Sequence, residues 1–155
     1  AGYGGSCVAN HMTAPLEDGS GAAACMSSAL EDAGVSADQV GYINAHGTST
    51  PMNDRCETLA VKTAFGASAG NLLMSSTKSM TGHLLGASGA VEAVLTVKAL
   101  RDGFAPPTIG YREADPDCDL DIVANAGREM DTDYAMSNSL GFGGHNASIL
   151  FRRVK

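Results

Sequence analysis

Apolar positions fall into short blocks separated by polar and glycine-rich segments. Residues 1–16 are glycine-rich and mixed and predict no element. From Asp18 to Ala33 the chain is rich in Ala, Met and Leu, and Gly34 follows as a C-terminal stop, so a helix is predicted there. Val40–Ala45, written VGYINA, is a short apolar run that predicts a buried strand. The polar segment HGTSTPMN reads as a turn. Asn53 is placed to cap a helix running to Phe65, in which Cys56, Leu59, Ala60, Thr63 and Ala64 keep the spacing of a buried stripe. Leu72–Ser76 predicts a second strand. A long helix is predicted from Leu84 to Leu100, its first turns made of the small residues Gly86 to Ala90. Gly103 and Pro106-Pro107 close it. An acidic loop at Asp115–Asp121 leads to a short strand over Asp121–Ala124. Tyr134–Leu140 and Ala147–Arg153 flank the turn GFGGHN and predict an antiparallel hairpin. The order is helix, strand, helix, strand, helix, strand, strand, strand, which is an α/β layered domain. No repeat or linker divides residues 1–155.

Composition narrows the function classes. The chain has 155 residues, 44% hydrophobic and 17% charged, a globular balance. Ten basic residues against 17 acidic ones give a net charge of −7, which argues against a general nucleic-acid binder. No apolar run approaches the roughly 18 residues that span a bilayer. The four cysteines (Cys7, Cys25, Cys56, Cys118) are scattered, with no CxxC pair, and read as reduced thiols of a cytoplasmic protein. The histidines show no metal-ligand spacing, so no metal site is expected.

Three polar segments leave strand ends or helix starts, where α/β folds bind ligands. They are His46–Pro51 (HGTSTP), Ser75–His83 around Lys78 (SSTKSMTGH), and Gly141–Asn146 (GFGGHN). Each has a plain structural reading: a hydrogen-bonding histidine, a solvated lysine, a turn that needs glycine. No phosphate loop and no GxSxG elbow is present.

Together the three segments resemble the β-ketoacyl-acyl-carrier-protein synthases, the elongating condensing enzymes of the thiolase fold. The pattern NAHGTSTPxxDxxE is met by Asn44–Pro51 with Asp54 and Glu57, STKSMTGHLLGASGAVE by Ser76–Glu92, and NSLGFGGHN by Asn138–Asn146. HMTAP at 11–15 is also family-like, although Val8-Ala9-Asn10 departs from the Asp-Ala-Tyr often found there. The resemblance runs from His11 to Phe151. It implies the C-terminal half of a thiolase-like layered fold: a βαβαβ-type sheet with covering helices and a C-terminal antiparallel hairpin.

It also implies a decarboxylative Claisen condensation of a malonyl group on acyl carrier protein with an acyl-enzyme thioester, in fatty-acid or polyketide elongation. His46 and His83 are then the histidine pair that binds the thioester oxygen, and Lys78 tunes them. Glu92, nine residues beyond His83 in an otherwise apolar helix, is the expected partner of Lys78; a purely structural ion pair is the other reading. Thr48 and Thr50 would hold the phosphopantetheine arm or only stabilise the turn, and Phe142 would be a gate. No bound cofactor is implied beyond a monovalent cation near Glu92 and Asn138, known in some relatives.

The reactive cysteine of the family sits in a Thr-Ala-Cys-Ser-Ser-like motif that this chain lacks. Cys25, in Ala-Cys-Met-Ser-Ser, lies on the first predicted helix and reads as a buried small side chain. The expectation is therefore a portion of the family fold, in keeping with a first residue that is not Met, inactive alone. It should expose apolar surface where a missing N-terminal half, or a second chain supplying it, would pack. Acyl carrier protein and a homodimeric whole are the implied partners. Two other readings stand beside this one: a non-catalytic subunit like the polyketide chain-length factors, and a thiolase-fold enzyme acting on coenzyme A esters.

Overall fold

The computed structural model describes residues 1–154. Six strands form one sheet: β1 (Gly2–Cys7), β2 (Val40–Asn44), β3 (Leu73–Ser75), β5 (Asp121–Ile122), β7 (Tyr134–Leu140) and β8 (His145–Arg152). Their spatial order is β1-β8-β7-β2-β3-β5. Strands β7, β2, β3 and β5 run parallel, while β8 and β1 extend the sheet antiparallel. A two-stranded ribbon, β4 (Phe104–Ala105) with β6 (Arg128–Glu129), stands apart. The helices are α1 (Ser20–Ala33), α2 (Pro51–Phe65), the single turn α3 (Lys78–Thr81) and α4 (Ser88–Asp102).

Both faces of the sheet are covered, which is why β2 reads as a continuous apolar run rather than an alternating one. On one face, Met26, Ala29 and Leu30 of α1 and Ala60, Val61 and Phe65 of α2 pack with Ile43, Leu72, Met74, Met136 and Leu150. On the other, Ala99 and Leu100 of α4 meet Tyr42, Val123 and Ala135. The outer side of α4 is not covered: Val94 is 61% and Val97 47% exposed, and Leu84, Leu85 and Met80 beside it are also exposed. Apolar side chains in this density at a surface are typical of contact faces.

Beyond the unanticipated β4–β6 ribbon and small shifts at the ends of α1, β5 and β8, four details differ from the sequence reading. Strand β1 was not anticipated. Its inward positions, Gly2 and Gly4, carry no side chain; instead they admit α1, because a Cβ on Gly4 would lie 2.0 Å from Cys25 O. The helix assigned to Asn53 begins earlier, with Thr50 at the N-cap and Pro51 at the first turn, so Asn53 is a buried helical residue and not the cap. The buried face of that helix is Asn53, Cys56, Glu57, Thr58, Ala60, Val61 and Phe65, while Thr63 is exposed. The helix expected from Leu84 starts at Ser88, after a turn of 3-10 helix at Leu85–Ala87. Cys25 is fully buried, its thiol donating to Gly4 O at 3.1 Å.

Candidate active site

Parallel strands β2 and β3 end side by side, and the loops leaving them carry the first two polar segments. The ladder continues one residue past β2, with Ala45 N–H donating to Ser75 O at 2.8 Å. Beyond it the chain turns, and the amides of His46 and Gly47 point at one carboxylate. Glu57, buried on α2, accepts from His46 N–H through Oε1 and from Gly47 N–H through Oε2, both at 2.9 Å. Asn138 Nδ2 of β7 donates to the same Oε1 at 3.3 Å, and Ser148 Oγ of β8 donates to Asn138 Oδ1 at 2.9 Å. Burial pushes the Glu57 carboxyl upward, and these donors pull it back. The carboxylate thus satisfies two amides that the turn would otherwise leave unpaired, and it sets where His46 stands.

A second buried residue joins the loops. Asn44, at the end of β2, donates from Nδ2 to Thr77 Oγ1, Thr96 Oγ1 and Glu92 O at 3.2–3.4 Å, and its Oδ1 accepts from Thr77 N–H. Strand β2, the start of α3 and the middle of α4 are locked together by one amide. Ser76 Oγ adds a bond to Gly47 O at 2.7 Å.

This frame buries an ion pair. Lys78 Nζ lies 2.5 Å from Glu92 Oε1, with the two side chains 4% and 2% exposed. The ammonium stands near His46, whose ring meets that of His83 edge to face, centroids 5.4 Å apart and planes at 85°. Burial first, then the positive Lys78 and the neighbouring His83, push His46 down to about 3. At neutral pH His46 is an uncharged imidazole. Its Nδ1 is buried with no partner, so a proton there would be an unpaired donor; the tautomer with the proton on Nε2 avoids that cost.

The tautomer of His83 follows from its neighbours. Its Nδ1 accepts from Leu85 N–H at 3.0 Å and lies 3.2 Å from Ser88 Oγ, which itself accepts from Leu84 N–H. An accepting Nδ1 puts the imidazole proton on Nε2. Leu85 reaches this position with φ of +52°, a left-handed backbone unusual for leucine. Each histidine is therefore left with its N–H on Nε2: His83 because its Nδ1 is an acceptor, His46 because a proton on its buried Nδ1 would find no partner.

Of the residues expected from sequence, His46, His83, Lys78 and Glu92 converge. Thr48 and Thr50 follow His46 on the same loop, their hydroxyls 3.0 Å apart. Phe142 sits on the β7–β8 turn, 78% exposed, and among the described residues no hydrogen bond or ring contact ties it to the cluster. Glu57 and Asn44 have no role in the sequence reading, and Asn138 enters it only beside a candidate cation, although all three lie inside the quoted motifs. No group of three His, Cys, Asp or Glu is placed to hold a metal among the described residues. Glu92 Oε2 is buried without a partner, but Asn138 is committed to Glu57 and Ser148. Among the described residues no helix is long and apolar enough to cross a membrane.

Known proteins resemble this chain in sequence and fold. The family described as Beta-ketoacyl synthase, C-terminal domain, matches residues 1–112. The chain is 53% identical over 154 residues to 3-oxoacyl-[acyl-carrier-protein] synthase 2 of Synechocystis sp., and 51% identical to the protein of that name from Staphylococcus aureus (strain COL). Each match covers 99% of this chain and 37% of the relative, so the chain spans little more than a third of their length. Among solved structures, a ketosynthase in a type II polyketide complex with its acyl-carrier protein (AntDE:AntF) superimposes with a TM-score of 0.97 at 42% identity, over 100% of this chain and 38% of that one. A β-ketoacyl synthase from Burkholderia phymatum gives 0.93 at 42% identity, over 99% of this chain and 37% of that one. The fold is thus the thiolase-like α/β arrangement of ketosynthases, and with a family match over most of its length and half of its residues shared with named relatives, this chain belongs to the β-ketoacyl synthase C-terminal domain family.

Proposed function

We propose that residues 1–155 form the C-terminal domain of a 3-oxoacyl-[acyl-carrier-protein] synthase and supply the part of its site that decarboxylates malonyl groups. The observation that carries this reading is the pair of histidines, His46 and His83, set edge to face beside the buried Lys78–Glu92 pair. A malonyl thioester on the phosphopantetheine of acyl carrier protein places its carbonyl oxygen against the two Nε2–H donors. Its terminal carbon–carbon bond breaks, carbon dioxide leaves, and the electron pair passes into an enolate whose oxyanion the two N–H groups stabilise. The enolate carbon then attacks the carbonyl of an acyl group held as a cysteine thioester. The carbon–sulfur bond breaks, the thiolate departs, and the 3-oxoacyl product stays on the carrier.

Lys78 keeps His46 uncharged, so the imidazole donates a hydrogen bond and not a proton. Glu92 neutralises Lys78 and fixes its position. Thr48 and Thr50, on the loop beyond His46, offer hydroxyls to the amides of the pantetheine arm. Phe142, exposed on a turn with glycine on both sides, gates the acyl-enzyme from water. The accepting cysteine comes from an N-terminal half or from a second chain, which would cover the apolar side of α4, and the whole is a cytoplasmic homodimer. A monovalent cation beside Glu92 would use the unpartnered Oε2.

Carbon dioxide release from malonyl-carrier protein tests this. The chain alone is expected to release none above background. A complete synthase bearing this sequence should release it, and His46→Ala or His83→Ala should cut release at least about a hundredfold while acyl loading on cysteine survives. Robust condensation by the chain alone, or unimpaired release by either variant, overturns the reading.

A further inference from the structure

Helix α4 carries polar side chains along a buried face that a helix packed on a sheet would ordinarily fill with apolar ones. Ser88, Glu92 and Thr96 follow one another at intervals of four residues, which stacks them on one side of the helix. They are 6%, 2% and 0% exposed. Each reaches a different segment of the site. Thr96 Oγ1 accepts from Asn44 Nδ2 at the end of β2, and Glu92 holds Lys78 of α3. Ser88 Oγ stands 3.2 Å from Nδ1 of His83. One face of one helix thus addresses both the lysine and the second histidine.

The surroundings of Ser88 fix the direction of its bond. Its oxygen accepts from Leu84 N–H at 2.8 Å, which holds the hydroxyl in place. Nδ1 of His83 already accepts from Leu85 N–H, so it has no proton to give, and the serine proton points to the ring. The usual alternative for a helical serine is to bond back to the carbonyl four residues earlier. Here that carbonyl, Leu84 O, accepts from Ala87 N–H at 3.0 Å instead. The start of the helix is itself seated on β7, because Gly89 has no side chain where a Cβ would lie 3.3 Å from Ser139 Oγ.

We propose that Ser88 is a positioning residue for malonyl decarboxylation: its hydroxyl, donated to Nδ1, turns the His83 ring so that Nε2–H points at the thioester oxygen. The assignment rests on the function proposed above. The Leu85 amide, two residues along the same loop, settles the tautomer but lets the ring rock about its Cβ–Cγ bond. A second donor from a separate, anchored element removes that freedom, and an oxyanion donor acts only when its direction is held.

Two measurements test this. In a complete synthase bearing this sequence, Ser88→Ala should lower carbon dioxide release at saturating malonyl-carrier protein about tenfold and change KM less than about twofold. Ser88→Thr, which keeps the hydroxyl, should stay within about threefold of the native rate, and Ser88→Cys, a weak donor of similar size, should fall between. In the chain carrying nitrogen-15-labelled histidine, the Nδ1 resonance of His83, assigned with His83→Gln, should move toward that of an unbonded ring nitrogen in Ser88→Ala and stay in place in Ser88→Thr. An unmoved resonance in Ser88→Ala overturns the proposal even where the variant melts lower, because the hydroxyl then serves only the Leu84 amide. Full release in Ser88→Ala beside impaired release in His83→Ala overturns it too and leaves the proposed function standing. Full release in both overturns both.

Discussion

Removing one partner of the Lys78–Glu92 pair should be far more damaging than removing both. The two side chains are almost wholly withdrawn from water, and Glu92 Oε2 has no second partner to share the charge. In Lys78→Met the carboxylate is left alone in a dry site; in Glu92→Leu the ammonium is. Breaking a buried pair in this way costs about 3–5 kcal/mol, whereas replacing both partners with apolar groups of similar volume is about neutral, or stabilising by up to ~4 kcal/mol. A domain of this size has on the order of 5–15 kcal/mol of stability in total. A single variant therefore loses about a fifth or more of it. With a urea slope of about 2 kcal/mol per molar, a loss of ~4 kcal/mol moves the unfolding midpoint down by about 2 M. Lys78→Met/Glu92→Leu together should return the midpoint to within about 0.5 M of the native chain, and the cycle should give a coupling of about 3 kcal/mol or more. Urea unfolding of the four proteins, followed by circular dichroism, reads this directly. If either single variant shifts the midpoint by less than about 0.5 M, the charges are hydrated and the reasoning fails. The double variant separates function from stability: a domain that folds well and sits in a synthase unable to decarboxylate malonyl-carrier protein shows that the pair serves the histidines.

Three shorter predictions rest on other residues. His46 is held down to about 3, below its unfolded value of about 6.5, so the unfolded chain binds a proton in this window that the folded chain refuses. Its contribution to stability is whole above about pH 6.5 and falls by up to about 1.4 kcal/mol per pH unit below it; the slope should shrink in His46→Asn, and the His46 ring proton should not titrate by NMR between about pH 5 and 8. Glu57→Ala should leave the His46 and Gly47 amides without their acceptor at a cost of about 2–5 kcal/mol, read as a lower melting temperature, with Glu57→Gln partly restoring it because one carbonyl oxygen remains. Val94→Lys with Val97→Glu should suppress self-association of the isolated chain in sedimentation runs while changing the urea midpoint by no more than about 0.5 kcal/mol in free energy; a strongly destabilised variant would place these side chains in the core instead.

Local rules made several elements legible, and their failures have physical causes. Helix α1 announced itself by composition and the glycine at its end, and the β7–β8 hairpin by its glycine-rich turn. Strand β1 gave no signal, because GYGGSC buries backbone where a strand normally buries side chains. The start of α2 lies three residues earlier than Asn53, a good cap in isolation, because Pro51 suits the first helical position and the chain enters the helix at Thr50. Thr63 fits the period of the stripe, yet the helix is rotated toward Val61 and Phe65 by the packing of α1.

The site divides along the same line. His46, Lys78, His83 and Glu92 stood in long ordered motifs, so their identity and their shared purpose could be read before any coordinates. A motif states residue type and spacing along one segment. It does not state that Asn138, 81 residues beyond Glu57, donates to that carboxylate, or that Asn44 bonds across to Thr77 and Thr96. The tautomers of the histidines, the burial that keeps His46 neutral and the open side of α4 arise from parts of the chain brought together through space. The sequence by itself determined the elements and the chemical groups, because those follow from neighbours within a few residues; only the tertiary structure decided which groups share a dry environment, and so which charges and protons they carry.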